Sequence, residues 1–329
     1  MANLEVVPCG ICQSTAYSHL FDAKDYTYEN SGAWPVAKCM SCGVVFMNPR
    51  LPPLTIGEYY PQNYYANSDL MDVNVKTWRR SAKDLAIKKR FSYAIPFEGF
   101  CARGLIAWAL LPYTSRWTVT MKYPSFVTNG RVLDVGCGNG QRLQEYRRLG
   151  WETHGIEISS VSATVARSAG HQIVVGELND ARYPDSYFDA VTMWDSLEHI
   201  HNPAATICEI YRILRPRGAL YISVPNYGSW YGRKFADRWL MFTAPVHYFH
   251  YSAATLTYLL SKSKFEDVRV KYPLGDAGIR HTLLNVYSEN TCIGRLLRLK
   301  VSQLFLTAID FVAPSGHLLS VARKPEIAK

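Results

Sequence analysis

Cys9-Gly-Ile-Cys12 and Cys39-Met-Ser-Cys42 place two C-x2-C pairs 26 residues apart. Each close pair can present two thiolates to one tetrahedral zinc, and four sulfurs fill every coordination position. A site so closed has no room for water or substrate, so the expected Zn2+ is structural and holds together a segment that lacks a large core of its own. The spacer is longer than that of the usual ribbons, and unligated or redox cysteines stay open as the alternative. Cys101, Cys137, Cys208 and Cys292 are scattered singly, a pattern that favours a reducing compartment over a disulfide framework. Zinc ribbons bind nucleic acids and proteins, and the module alone does not choose between such uses.

A second stretch with chemical potential is Val132 to Gly140, VLDVGCGNG, in which a short apolar strand runs into a glycine turn and then a helix. Such a turn lets backbone come close to a ligand and points a helix N-terminus at it. Glu157 closes the next predicted strand, 21 positions after Gly136, where an acid can accept both hydroxyls of a ribose. The two features together predict an adenosine-type cofactor. A dinucleotide fingerprint would be GxGxxG over a pyrophosphate, but here the third glycine comes one residue early and Asp134 stands two before the first. A carboxylate at that place repels pyrophosphate and attracts a sulfonium or an ammonium. The charge balance therefore favours S-adenosyl-L-methionine over NAD.

The elements that must position these residues follow from periodicity. RVLDV, THGIEI, QIVVGEL, FDAVTMWD and ALYISV read as strands, alternating with helices at QRLQEYRRLG, at SSVSATVARSAG and after Asn202-Pro203. In the last of these, Ile207, Ile210, Tyr211 and Leu214 recur at helical spacing, and Arg212, Arg215 and Arg217 sit where a helix dipole favours cations. AATLTYLLSKSKF and 291–312 are further predicted helices, and EDVRVKY and HLLSVARK complete seven strands. Strands alternating with helices predict an α/β fold, a doubly wound, Rossmann-like, mostly parallel seven-stranded sheet, with a small N-terminal zinc ribbon and a helical linker. The expected domains are 1–65 for the ribbon, 66–128 for a basic and aromatic linker or cap, and 129–329 for cofactor binding, with 226–250 as an acceptor-site insertion.

With 48% apolar residues the chain can bury a sizeable core, and its formal charge of +9 is a hint about partners only. Residues 76–90, KTWRRSAKDLAIKKR, carry seven basic side chains against Asp84. The stretch 76–112 reads as a linker with a solvated basic face, or as a surface that rests on an anionic membrane. No run of about 18 uncharged apolar residues and no secretory leader pattern occurs, so the expected location is the cytoplasm, with peripheral contact to the inner membrane face as an added reading.

VLDVGCGNG, GIEIS, FDAVTMWDSLEHI and RPRGALYISVPN resemble the successive motifs of class I S-adenosylmethionine-dependent methyltransferases. CGIC, KCMSCGVVFMNPR, GEYYPQNYY and PVHYFHYSAATL further resemble the branch with an N-terminal zinc ribbon associated with bacterial surface-polysaccharide and sugar-modification genes. The resemblance implies that Asp134, Gly136, Cys137 and Gly138 hold the methionine part of the cofactor and that Glu157, followed by Ile158, takes the ribose. It puts adenine by Glu177-Leu178-Asn179, with Asn179 where an acid is frequent, and makes Trp194 a pocket wall or a core aromatic.

It also implies O-methylation of a sugar, glycan or related small molecule, lipid-linked acceptors included. His199 or His247 would serve as general base, with Glu198 or Asp195 orienting an imidazole or the acceptor hydroxyl. The blander reading has His199 fixing its loop through a backbone hydrogen bond and His250, flanked by Phe249 and Tyr251, packed and not catalytic. The rivals are an RNA methyltransferase gripping phosphates with the ribbon and the basic segment, and a non-catalytic zinc-binding adaptor. Nucleic acid is disfavoured as a partner, because the fourth strand ends in MWDSLEH and not in a proline-aromatic signature.

Overall fold

The structure, a computed structural model, describes residues 4–28, 30–53, 55–60, 93, 123–273, 282–284, 286, 287, 290–299, 302 and 316–326. The strands are β1 (Tyr17–Ala23), β2 (Trp34–Cys39), β3 (Val45–Met47), β4 (Arg131–Val135), β5 (Glu152–Glu157), β6 (Gln172–Val175), β7 (Phe188–Trp194), β8 (Leu214–Pro225), β9 (Phe249–His250), β10 (Glu266–Lys271) and β11 (His317–Arg323). The helices are α1 (Gln141–Arg148), α2 (Ser160–Ser168), α3 (Pro203–Ile213), α4 (Trp230–Phe235), α5 (Ala253–Lys262) and α6 (Cys292–Leu297). The expected linker at 66–128, apart from Tyr93 and residues 123–128, lies outside the described residues, as does most of the predicted helix at 291–312 beyond α6. Among the described residues no helix is long and apolar enough to cross a membrane.

The seven predicted strands form one sheet in the order β10-β11-β8-β7-β4-β5-β6, the mostly parallel, Rossmann-like arrangement expected of alternating strands and helices. The chain divides into two compact units whose segments interleave along the sequence: Met1–Tyr64, Asp195–Cys208 and Ile222–Leu319 in one, Tyr65–Trp194, Glu209–Tyr221 and Ser320–Lys329 in the other.

The second unit is built on β4, in which Val132, Leu133, Asp134 and Val135 are all buried. It pairs in parallel with β5 and β7, and β5 pairs in parallel with β6, so that Asp134 stands opposite Gly155 on one side and Thr192 on the other. Leu143 and Tyr146 of α1 and Ala163 and Ala166 of α2 pack with Val132, Trp151, Ile173 and Ala190 in its core. Helix α2 begins as its serines predict, with the Ser159 hydroxyl accepting the Ser162 N–H at 3.3 Å.

In the first unit β1, β2, β3 and β9 form an antiparallel sheet, so a segment near residue 250 supplies its last strand. Phe46 stacks on Phe249 with centroids 6.2 Å apart and planes 12° from parallel. Gly10 makes room for that ring, since a Cβ there would stand 2.6 Å from Phe249 Cζ.

Helix α3 starts at Asn202-Pro203 as predicted, the Asn202 side chain accepting the Ala205 N–H at 3.2 Å, but it ends at Ile213. Leu214, expected on its apolar stripe, begins β8, and only Arg212 falls in the last helical turn. The arginines are held by acids: Arg212 by Glu209 and Asp185, Arg215 by Asp189 at 2.7 Å, and Arg217 by Glu326.

Candidate functional site

The glycine turn after β4 is set by backbone conformation. Gly136, Gly138 and Gly140 take φ of +78°, +54° and +83°, which L side chains rarely adopt. The N–H groups of Gly136 and Cys137 donate to the Ile156 carbonyl at 2.8 and 3.0 Å, tying the turn to the end of β5. There Glu157 accepts the Gly138 N–H on one carboxylate oxygen and the Ser159 N–H on the other, both at 2.8 Å. A carboxylate has about four lone-pair sites, so both oxygens keep capacity for ribose hydroxyls.

Asp134 lies below the turn, 2% exposed, and accepts the Thr192 hydroxyl at 2.6 Å. Burial pushes its carboxyl up to about 7, against the Thr192 hydrogen bond and the Arg142 guanidinium, which pull it down. Cys137 is buried, and burial raises its thiol, with Asp134 and Glu157 adding to the effect. Ile158 is exposed just past Glu157. The Gly176 N–H donates to the Glu157 carbonyl at 3.0 Å, and Glu177 and Asp180 cap the short turn Leu178–Ala181 reciprocally, with Leu178 buried and Glu177 and Asn179 exposed. Trp194 is half-buried, donates to the Tyr146 hydroxyl at 2.9 Å and carries the Arg142 guanidinium 4.7 Å over its ring. The structure thus places Gly136, Cys137 and Gly138 in a turn between Asp134 in β4 and Glu157 at the end of β5. Arg142, Tyr146 and Thr192 are additions. Thr192 became visible only through the β4–β7 register, which no local pattern encodes.

In the other unit, Leu197–His199 form a single 3-10 turn after Asp195, whose carboxylate accepts the Ser223 hydroxyl at 3.0 Å. His199 and His247 meet edge to face, with ring centroids 4.6 Å apart. His199 Nδ1 lies 2.9 Å from the Val246 carbonyl and 2.8 Å from the Tyr60 hydroxyl, and His247 Nδ1 lies 3.0 Å from the Met241 carbonyl. A carbonyl only accepts, so each Nδ1 carries the hydrogen and each Nε2 keeps its lone pair in the neutral ring. Burial pushes His199 down to about 4, and it lowers His247 as well, assisted by the neighbouring imidazoles. Glu198 is 1% exposed; burial first and Asp195 second hold its carboxyl well above the ordinary range.

The backbone anchor foreseen for His199 is present, and it leaves Nε2 for other work. His250 is packed, but on a ring the sequence reading did not name: it stacks on Phe242 at 3.8 Å and 9°, and neither ring nitrogen has a partner among the described residues. The sequence reading did not find Tyr60, or Arg50, which donates to the His201 carbonyl at 2.8 Å.

The four cysteines come together. Cys9 and Cys42 sulfurs are 3.6 Å apart, Cys12 and Cys39 sulfurs 3.5 Å, and all four lie within 4.8 Å of one another. A tetrahedron with metal–sulfur bonds of about 2.3 Å has edges of about 3.8 Å, whereas a disulfide needs about 2.05 Å. Both knuckles turn alike, Gln13 N–H donating to the Cys9 carbonyl at 2.8 Å and Gly43 N–H to the Cys39 carbonyl at 3.0 Å.

Residues 116–270 match the family described as a methyltransferase domain. A ubiquinone biosynthesis O-methyltransferase of Alkalilimnicola ehrlichii is 38% identical over 105 residues, 29% of this chain and 42% of that protein. One from Thiobacillus denitrificans is 32% identical over 123 residues, 35% of this chain and 51% of that protein. The chain thus spans about half or less of the length of the curated relatives it matches. A solved S-adenosylmethionine-dependent methyltransferase from Archaeoglobus fulgidus aligns at a TM-score of 0.45 and 19% identity, over 73% of this chain and 99% of that one. The expected sugar or glycan acceptor, with the polysaccharide-biosynthesis role attached to it, is overturned: the relatives are named for ubiquinone biosynthesis. That expectation rested on segments flanking the cofactor strands, and the motifs of the strands themselves specify the cofactor and not the acceptor. The match to the methyltransferase-domain family covers residues 116–270, a little less than half of the chain.

Proposed function

We propose that the chain methylates a hydroxyl oxygen of a small-molecule acceptor. The observation that carries this reading is the turn in which Asp134, three glycines of positive φ and a tethered Glu157 converge, within a region related to named O-methyltransferases. S-adenosylmethionine supplies a methyl group on a sulfonium. Asp134 places negative charge where the methionine part carries its cations, Gly136 and Gly138 let backbone approach it, and Glu157 accepts the ribose hydroxyls. Adenine lies by the turn at Glu177, Leu178 and Asn179, of which Glu177 and Asn179 are exposed. Cys9, Cys12, Cys39 and Cys42 hold a structural Zn2+, in keeping with their spacing in the fold.

Methyl transfer to oxygen forms a C–O bond as the C–S bond breaks. The bonding pair stays on sulfur, and the hydroxyl proton must leave the oxygen. In-line placement of the reactants accounts for much of such a rate, on the order of 7–11 kcal/mol. The hydroxyl proton passes to solvent.

Two measurements test the reading. Calorimetry should give heat with S-adenosylmethionine and none with NAD. Methyl-labelled cofactor, offered with phenols, catechols and aliphatic alcohols beside RNA and polysaccharide, should put label into a small molecule. Absence of heat with S-adenosylmethionine, or label confined to macromolecules, would overturn the proposal.

A further inference from the structure

Glu198 is a buried carboxylate neither of whose oxygens has a hydrogen-bond partner among the described residues. Leaving such a group unmet costs several kcal/mol, and protonation alone does not cure it, because the new O–H would also lack an acceptor. One donor atom from each of Glu198, His199 and His247 lies within 4.8 Å of the others. Both imidazoles are turned by their Nδ1–H groups toward the Val246 and Met241 carbonyls, at 2.9 and 3.0 Å, so the Nε2 lone pairs remain for a ligand. That is how metal-binding histidines are held from behind.

We propose that Glu198, His199 and His247 form a second metal site, which takes a divalent first-row transition ion and offers its open positions to an oxygen of the acceptor. Two imidazoles and one carboxylate suit Zn2+, Fe2+, Mn2+ or Co2+ better than Mg2+ or Ca2+, which prefer all-oxygen shells. Three protein ligands leave coordination positions open, unlike the closed set of four cysteines. An acceptor hydroxyl bound there is acidified by the ion and releases its proton to solvent, which spares the imidazoles a role as bases. The acceptor's part in this rests on the O-methyl transfer reading; the binding of the ion does not.

The test uses the full chain with its cysteines loaded with zinc, titrated with Co2+ as the probe. The expected result is one further Co2+ per chain by elemental analysis, with a ligand-field spectrum that lacks thiolate charge transfer. Glu198→Gln, which keeps the shape, should weaken that binding by at least about tenfold, the low end of what even an outer-shell partner of a metal site contributes, and His247→Ala should abolish it. Zinc content and heat with S-adenosylmethionine should stay unchanged in both. If His247→Ala fails to fold, Glu198→Gln decides alone. No further Co2+ in the unsubstituted chain, or unweakened binding in Glu198→Gln, would overturn the site. Label entering a small molecule without any such ion would defeat this inference and leave O-methylation standing; a bound ion without transfer would do the reverse.

Discussion

Asp134, at the foot of the cofactor turn, carries an electrostatic consequence that can be measured. Its carboxyl rises from an unfolded value of 3.8 to about 7 because the folded chain takes it out of water. The folded state therefore holds a proton that the unfolded chain has already lost. The contribution to stability is full below about pH 4 and declines by about 1.4 kcal/mol per pH unit as pH rises toward 7. A cofactor with an ammonium and a sulfonium draws the ionised form back, so binding near pH 6.5 should release a fraction of a proton. Calorimetry in two buffers of different ionisation enthalpy reads that release directly. Asp134→Asn can keep the Thr192 hydrogen bond through its amide oxygen but removes the charge. The variant should be more stable than the parent at pH 8, should show no proton release, and should bind cofactor about 10–100-fold more weakly, the equivalent of roughly 1.5–3 kcal/mol for a charge-assisted contact. Unchanged cofactor affinity would mean that Asp134 serves the strand and not the ligand.

At the scale of elements, the glycine turn sits where it does because β5 lacks a side chain under it. A Cβ at Gly155 would come within 2.5 Å of Cys137 Sγ and 2.7 Å of Ile173 Cδ1. Gly155→Ala should thus overpack the seam between turn and strand, costing about 1–3 kcal/mol, and should weaken cofactor binding by shifting Cys137. Adding Cys137→Ala removes the sulfur in conflict, so the double variant should recover part of both losses. Urea unfolding and calorimetry on the three variants check this, and strict additivity would refute the contact. This turn was legible in the sequence because strand, glycines and helix follow one another locally, and so were the seven strands, whose apolar runs are bounded by turns. The partnership of β3 with β9 was not legible. PVHYFHYS has no strand periodicity, β9 is two residues long, and the stack of Phe46 on Phe249 joins distant parts of the chain. LEH could be picked out as chemically able, but that neither Glu198 oxygen has a partner among the described residues is a property of the packed fold.

On the scale of the whole molecule, the unit that contains the cysteines also contains the segments that hold His199 and His247. Tyr60 reaches the His199 ring, Arg50 the His201 carbonyl, and Lys262 donates to the Ile11 carbonyl at 3.1 Å between the first two cysteines. The knuckles are therefore part of the scaffold that holds His199 and His247, and in the proposed reading a metal closing them would act on chemistry it never touches. Cys39 ends β2, and its N–H donates to the Val44 carbonyl at 2.9 Å, in the turn that leads to β3 and its pairing with β9. In Cys39→Ser, cobalt substitution should lose its thiolate charge-transfer band. Amide exchange should then rise across residues 34–47 and 246–251 by at least about tenfold, or 1.4 kcal/mol of local stability. Strand β4, in the other unit, should keep its protection, and heat with S-adenosylmethionine should persist while acceptor turnover falls. Full protection of β9 in a variant stripped of its metal would show that the aromatic seam holds without the knuckles, and the cysteine site would then have no part in positioning His199.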